Sequence, residues 1–402
     1  MRAAPGSLSA LRGANRLRVI ETVQRSGGMS RVGLVRATGL SRSTVSSVVA
    51  ELLAEQVLVA KPDPGRSSPA NGVGRPALQL TVNPALGALV GVHLRHDGVR
   101  VVLADLAGTL LAEALGELDV DHHAQQALDY VAGQVPALLG AADVESRRLL
   151  GVGVAVSAPV PTSAAGPHLL HSWRGVDVVS ELGCALGLPV HLGNDANLGA
   201  IAEWTFGAGR GHDDLVYVMM ADGVGAGLIL GGQLYQGANG AAGELGHVVV
   251  SPDGPVCRCG SRGCLETVSG TAAISAALRY SHGADLGLTR LLGLIRAGDP
   301  GACRAAEDAG RAVGRALAGI CAVLDPLLVV IGGRLAAAGP ALLDGVRHEL
   351  LRWLPPSLGE GLTVLAGQLG ARAEALGAIA LAGRECSPLA VTEACEPVRN
   401  VR

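Results

Sequence analysis

The segment Cys257-Arg258-Cys259-Gly260-Ser261-Arg262-Gly263-Cys264 constrains this chain more than any other. It places three thiols within eight residues, and His247 lies nine intervening residues upstream. Gly260 and Gly263 let a short loop turn back so that all three sulfurs address one centre. Three Cys and one His form a complete tetrahedral zinc set, which leaves no open position for a reacting water. The expectation is a structural zinc held by His247, Cys257, Cys259 and Cys264. The alternative is three unliganded cysteines behaving as small apolar residues.

The remaining five cysteines are scattered without a disulfide-like framework, which fits a reducing cytoplasm. No run of 18 apolar residues and no signal-peptide pattern is visible, so no membrane association is expected. At 402 residues the chain is long enough for two or three domains. Only eight residues are aromatic, so Ala, Val, Leu and Gly must build the core.

Charge divides the chain unevenly. Residues 1–83 hold 11 Lys plus Arg against four acids, a net of +7, and the remainder holds 21 against 31, a net of −10. A basic module on an acidic body points to nucleic acid at one end. Leu11 to Arg25 reads as a first helix, Ser30 caps a second that runs to Thr38, and Gly39 turns the chain. Ser41 caps a third helix in which Val45, Val48, Val49 and Leu52 form one apolar face. Its other face carries Arg42, Ser43, Thr44, Ser46 and Ser47, short polar side chains suited to a major groove. Strands near Val57–Ala60 and Leu78–Val82 flank a Pro/Gly/Ser-rich loop with Arg66 and Arg75, a wing able to reach phosphates. The module is read as a winged helix-turn-helix over residues 1–85. From Leu86 onward apolar strand-like runs alternate with helical stretches, and paired strands recur at 88–106 and 215–235, which supports an α/β body.

The run Gly243-Glu244-Leu245-Gly246-His247, followed by Cys-x-Cys-Gly-x-x-Gly-Cys-x-Glu, resembles the signature of the ROK family of bacterial sugar kinases and sugar-responsive repressors. Asn194-Asp195-Ala196-Asn197, Gly237 to Gly243, and Asp325-Pro326 with Gly332-Gly333 fall in the family's order, so the resemblance covers about residues 86–385. It implies a two-lobed actin-like, hexokinase-like body, with lobes expected at 86–200 and 201–402. The turn Gly74-Arg75-Pro76 resembles the wing of the family's repressors. The resemblance also implies a hexose pocket of Asn194, Asp195, Glu244, His247 and Glu266, with Asp195 as the base if the chain were a kinase. These are sensible sugar ligands, since carboxylates accept from hydroxyls and an amide both donates and accepts.

Two phosphate loops of the family's kinases are altered here. Asp-x-Gly-Gly-Thr is replaced by the stretch His93-Leu94-Arg95-His96-Asp97, and Gly-Thr-Gly-x-Gly by Ala221-Asp222-Gly223-Val224-Gly225. Side chains stand where backbone amides would approach phosphate, and a carboxylate replaces a hydroxyl donor. The expectation is a DNA-binding transcriptional regulator, a repressor of carbohydrate-metabolism genes, that responds to a sugar or sugar phosphate. It needs no ATP and is not an enzyme. It binds operator DNA as a homodimer or homotetramer. The alternatives are an ATP-dependent sugar kinase fused to a DNA-binding module, and a regulator that answers to a protein partner.

Overall fold

The computed structural model describes residues 8–26, 28–62, 78–160, 173, 175–283 and 286–386. Its N-terminal module comprises helices α1 (Leu8–Ser26), α2 (Arg31–Thr38) and α3 (Arg42–Ala54), then strands β1 (Leu58–Pro62) and β2 (Leu78–Val82). Ser30 and Ser41 cap α2 and α3 as expected, accepting from the N–H groups of Gly33 and Thr44. Gly39 adopts a left-handed φ of 67° and returns its N–H to Val35, which makes the turn between the two helices sharp. Val45, Val48, Val49 and Leu52 are buried against Val19, Ile20, Val23 and Leu34. Arg12 and Arg16 pair with Glu51 and Glu55 and so clamp α1 to α3, which removes two arginines from the basic surface counted in the sequence. The wing strands pair antiparallel, with Leu58 opposite Val82. The loop between them, with Arg66 and the expected DNA contact Arg75, lies outside the described residues.

The first half of the body runs β3 (Ala88–Arg95), β4 (Gly98–Asp105), β5 (Leu110–Glu117), α4 (Ala124–Ala141), β6 (Leu149–Val156), α5 (Val178–Leu186), β7 (Val190–Asn194) and α6 (Asp195–Phe206). The second runs β8 (Leu215–Met220), β9 (Val224–Leu230), β10 (Gln233–Tyr235), α7 (Glu266–Ser269), α8 (Thr271–Ala277), α9 (Arg279–His282), α10 (Leu288–Arg296) and α11 (Pro300–Leu324). It closes with β11 (Leu328–Gly332), α12 (Pro340–Trp353), α13 (Pro356–Gly359), β12 (Thr363–Ala366) and α14 (Ala373–Glu385).

The two sheets share one plan. Strand order is β5-β4-β3-β6-β7 in the first and β10-β9-β8-β11-β12 in the second. In each, the first three strands pair antiparallel and the last two add in parallel. This duplication is the two-lobed actin-like fold. Apolar layers flank each sheet, with α4 and α5 on the first and α10, α11 and α12 on the second.

One stretch departs from the expected division. Residues 373–385 fall in the expected second lobe, 201–402, yet α14 packs on β3 and β6 of the first sheet and against α6. Glycines admit it: a Cβ at Gly91 would meet the Ala375 carbonyl at 2.2 Å, and one at Gly153 the Ala378 carbonyl at 1.9 Å. The DNA-binding module is not tethered loosely either. Its apolar core is continuous with Leu89 and Val102 of the first sheet and with Ala375, Ile379 and Ala382 of α14. Gln24 donates to the Leu106 carbonyl at 3.1 Å, and Arg210 bonds the Ser26 carbonyl. Among the described residues no helix is long and apolar enough to cross a membrane.

Candidate functional site: the cleft between the lobes

A cavity of about 830 Å³, counting its open mouth, lies between the lobes. Asn194, Asp195, Glu244, His247 and Glu266 all line it, although they come from three separate segments. Asn194 ends β7 and caps α6, accepting from the Asn197 N–H at 3.0 Å, while its amide nitrogen donates to the Ala158 carbonyl at 3.2 Å. Asp195 is buried. Its Oδ1 accepts from the Ala196 N–H at 2.7 Å and its Oδ2 from the Ser157 hydroxyl at 2.6 Å, so the carboxylate is held in one orientation. Glu244 begins a short turn that ends at His247, and Glu266 opens α7 directly after the cysteine loop. Burial raises the Glu244 carboxyl above its usual range. His247 opposes this, while the charges of Asp195 and Glu266 add to it.

The donor atoms of His247, Cys257, Cys259 and Cys264 all lie within 4.8 Å of one another, close enough to hold a metal ion. Cys259 Sγ is 3.7 Å from Cys264 Sγ, and Cys257 Sγ is 3.5 Å from His247 Nδ1. The other ring nitrogen, Nε2, lies 3.7 Å from Glu244 Oε2 on the cavity side. Gly263 has a φ of 66°, and a Cβ there would collide with the Ser251 carbonyl, so the loop can close only with glycine at that position.

The other end of the cavity is lined by charged groups that face one another. His93, at the end of β3, is buried between two carboxylates, 3.9 Å from Asp195 Oδ2 and 3.7 Å from Glu374 Oε2. Glu374 also accepts from the buried Tyr217 hydroxyl at 3.0 Å, and burial raises its carboxyl above the usual range. Arg334, immediately after Gly332-Gly333, bridges the two altered loops. It donates to Asp97 Oδ2 at 2.7 Å from one nitrogen and to Asp222 Oδ2 at 3.0 Å from another. Arg95 joins the same Asp97 at 3.1 Å.

Sequence reasoning missed Ser157, Arg334 and Glu374. Of these, Glu374 left a trace, as the only acid in the otherwise small and apolar Ala373–Arg384 stretch. On the DNA-binding module Arg42, Ser43, Ser46 and Ser47 are exposed along one side of α3. Thr44 is half-buried and its hydroxyl bonds Ser41 at 2.8 Å, so it belongs to the helix cap as much as to the outer face. Ser47 donates to Glu51 at 3.2 Å.

A winged helix-turn-helix seated on a two-lobed body, with acids lining the cleft, defines a DNA-binding protein built on a sugar-kinase scaffold. The ROK family profile matches residues 90–385, and the chain belongs to that family. It is 29% identical over 364 residues to the xylose repressor of Bacillus subtilis (strain 168), covering 90% of this chain and 93% of the repressor. It is 32% identical over 311 residues to the glucokinase of Thermotoga maritima, covering 73% of this chain and 96% of the kinase. A crystal structure of a ROK family transcriptional regulator, a homologue of the Escherichia coli MLC protein, matches with a TM-score of 0.69 at 23% identity, covering 95% of this chain and 99% of that one. The kinase is thus matched almost whole by part of this chain, whereas the repressor and the regulator extend along nearly all of it.

Proposed function

We propose that this protein is a sugar-responsive transcriptional regulator, a repressor of carbohydrate-metabolism genes, and not an ATP-dependent sugar kinase. One observation carries the reading: two helices begin in the cleft and end beneath the DNA-binding module. Asp195 opens α6, and Trp204 and Phe206 at its far end face Glu21 and Gln24 of α1 across a small pocket. Glu374 stands at the start of α14, and Ile379, Gly383 and Arg384 further along reach the same pocket. Arg384 Nε lies 3.7 Å from Glu21 Oε1. An α-helix of 12 residues spans about 18 Å, so a sugar that shifts Asp195 shifts a rigid rod whose other end supports α1. Arg42, Ser43, Ser46 and Ser47, with Thr44 beside them, would meet base edges, and Arg75 the backbone or minor groove.

The cluster of His247, Cys257, Cys259 and Cys264 is proposed to hold one structural zinc. Tetrahedral zinc with sulfur at about 2.3 Å sets sulfurs roughly 3.8 Å apart, which the Cys259–Cys264 separation of 3.7 Å fits. Nδ1 of His247 would face the metal and leave Nε2 for a sugar hydroxyl. The reading includes a cytoplasmic homodimer or homotetramer, since helix-turn-helix proteins bind paired half-sites as dimers. The reading against catalysis rests on Arg334, which occupies the space between the two loops that a kinase would turn toward phosphate.

The test is operator binding by the purified chain with and without a panel of sugars. A sugar that changes operator affinity at least about tenfold, a shift of roughly 1.4 kcal/mol, is the expected result. Operator binding undiminished in a chain lacking residues 1–83, or robust sugar-dependent ADP release, would overturn it.

A further inference from the structure

We infer that the effector is an uncharged sugar and that the cleft excludes its phosphate ester; the inference rests on the sugar-responsive reading above and narrows it. The cavity is lined by five acids, Asp195, Asp222, Glu244, Glu266 and Glu374. Its arginines number three, Arg95, Arg258 and Arg334, which leaves a net of 3 − 5 = −2 before the histidines are considered. Each of the three arginines is already engaged by a neighbouring group. Arg334 is held by Asp97 and Asp222, and Arg95 by Asp97. Arg258 donates to His96 Nε2 at 3.0 Å and lies 3.6 Å from Glu266.

Asp195, Glu244 and Glu266 all line the sugar end, so three carboxyl groups already share that part of the cavity. A hydroxyl relieves that crowding by donating a hydrogen bond. A phosphate dianion increases it, and at 6 Å from one carboxylate in a medium of effective dielectric about 20 the repulsion exceeds a tenfold change in affinity. The ester group of a sugar phosphate whose ring sits on Asp195 would also have to displace Asp222 or Asp97 from Arg334 before finding a cation.

Isothermal titration of the full chain tests this with free hexoses, pentoses and N-acetylhexosamines, each beside its phosphate ester at fixed ionic strength. The expected result is a free sugar that binds and an ester at least about tenfold weaker. A phosphate ester that binds as tightly as its parent sugar, or more tightly, overturns the inference and leaves the sugar-responsive reading standing. Binding by no member of either series overturns both. Asp222→Asn removes one negative charge and frees a face of Arg334, so the gap between sugar and ester should narrow by about tenfold. A gap that stays the same would show that charge in the cleft is not what excludes the ester.

Discussion

The two halves of the cleft stand on the same pair of lobes and have opposite character. At the cysteine-loop end Asp195, Glu244 and Glu266 line the cavity, carried by the N-terminus of α6, the turn at Glu244 and the start of α7. At the other end charged side chains face one another: Arg334 joins Asp97 to Asp222, and His93 sits between Asp195 and Glu374. A scaffold that binds a sugar for chemistry needs both halves open, the second for phosphate and its metal ions. A scaffold that only senses the sugar can use the second half to tie the lobes together, as the Arg334–Asp97 ion pair does.

The largest expected effect tests the open half at its anchor. Cys264→Ser should remove the metal, lower the melting temperature by several degrees and abolish the sugar response, because the loop also positions Glu266. Elemental analysis of the wild type should find one zinc per chain, and metal-free protein with full sugar response would break the comparison at that end. Asp195→Asn comes next. It replaces a charged acceptor, so sugar affinity should fall by about 1.5–3 kcal/mol in calorimetry, while operator affinity without sugar stays near wild type.

The closed half should give smaller changes. Arg334→Ala removes a tie whose Asp97 end is about half exposed, and a loss of about 1 kcal/mol or less is expected in denaturant melts. It should not bring ATP turnover, and neither should His93→Asp, because Leu94, Arg95 and Asp222 still obstruct the phosphates. ATP turnover in either variant would show that the half was closed by one residue and not by a set. The smallest effect is in pH. Burial pushes the Asp97 carboxyl up, but the hydrogen bond and charge of Arg334, with Arg95 adding, hold it below the ordinary range. A carboxyl lowered on folding stabilises above its unfolded pKa, roughly 3.9, and loses that contribution as pH falls through the folded value. The stability gap between wild type and Asp97→Asn should therefore be full at pH 7 and vanish only in acid below pH about 3.9.

What could be read in the sequence depended on how local the signal was. The helix-turn-helix was legible because capping serines, Gly39 and the Val45–Leu52 stripe are all short-range features. Strand β5 was not. Its residues, Leu110–Glu117, are rich in Leu, Ala and Glu and favour a helix, and only pairing along β4 makes them a strand. The cysteine cluster was legible from its spacing alone, whereas the five candidate sugar-binding residues were found through a resemblance that keeps their order, and the fold brings those five to one cavity. Arg334 and Glu374 escaped for a different reason. Each gains its role from partners more than a hundred positions away in sequence, such as Asp222 and Tyr217, and no periodicity encodes such a meeting.

Helix α14 has a consequence for how the protein comes into being. Glu374 meets His93 across 374 − 93 = 281 positions, and the same helix fills the glycine-lined groove of the first sheet. At a synthesis rate of about 5–20 residues per second, β3 leaves the ribosome roughly 15–55 s before its helix does. During that interval the nascent first lobe has an open groove and the DNA-reading module has no finished platform. A chain interrupted before residue 373 therefore lacks both the Glu374 carboxyl group of the cleft and the α14 part of the platform on which the DNA-reading module sits.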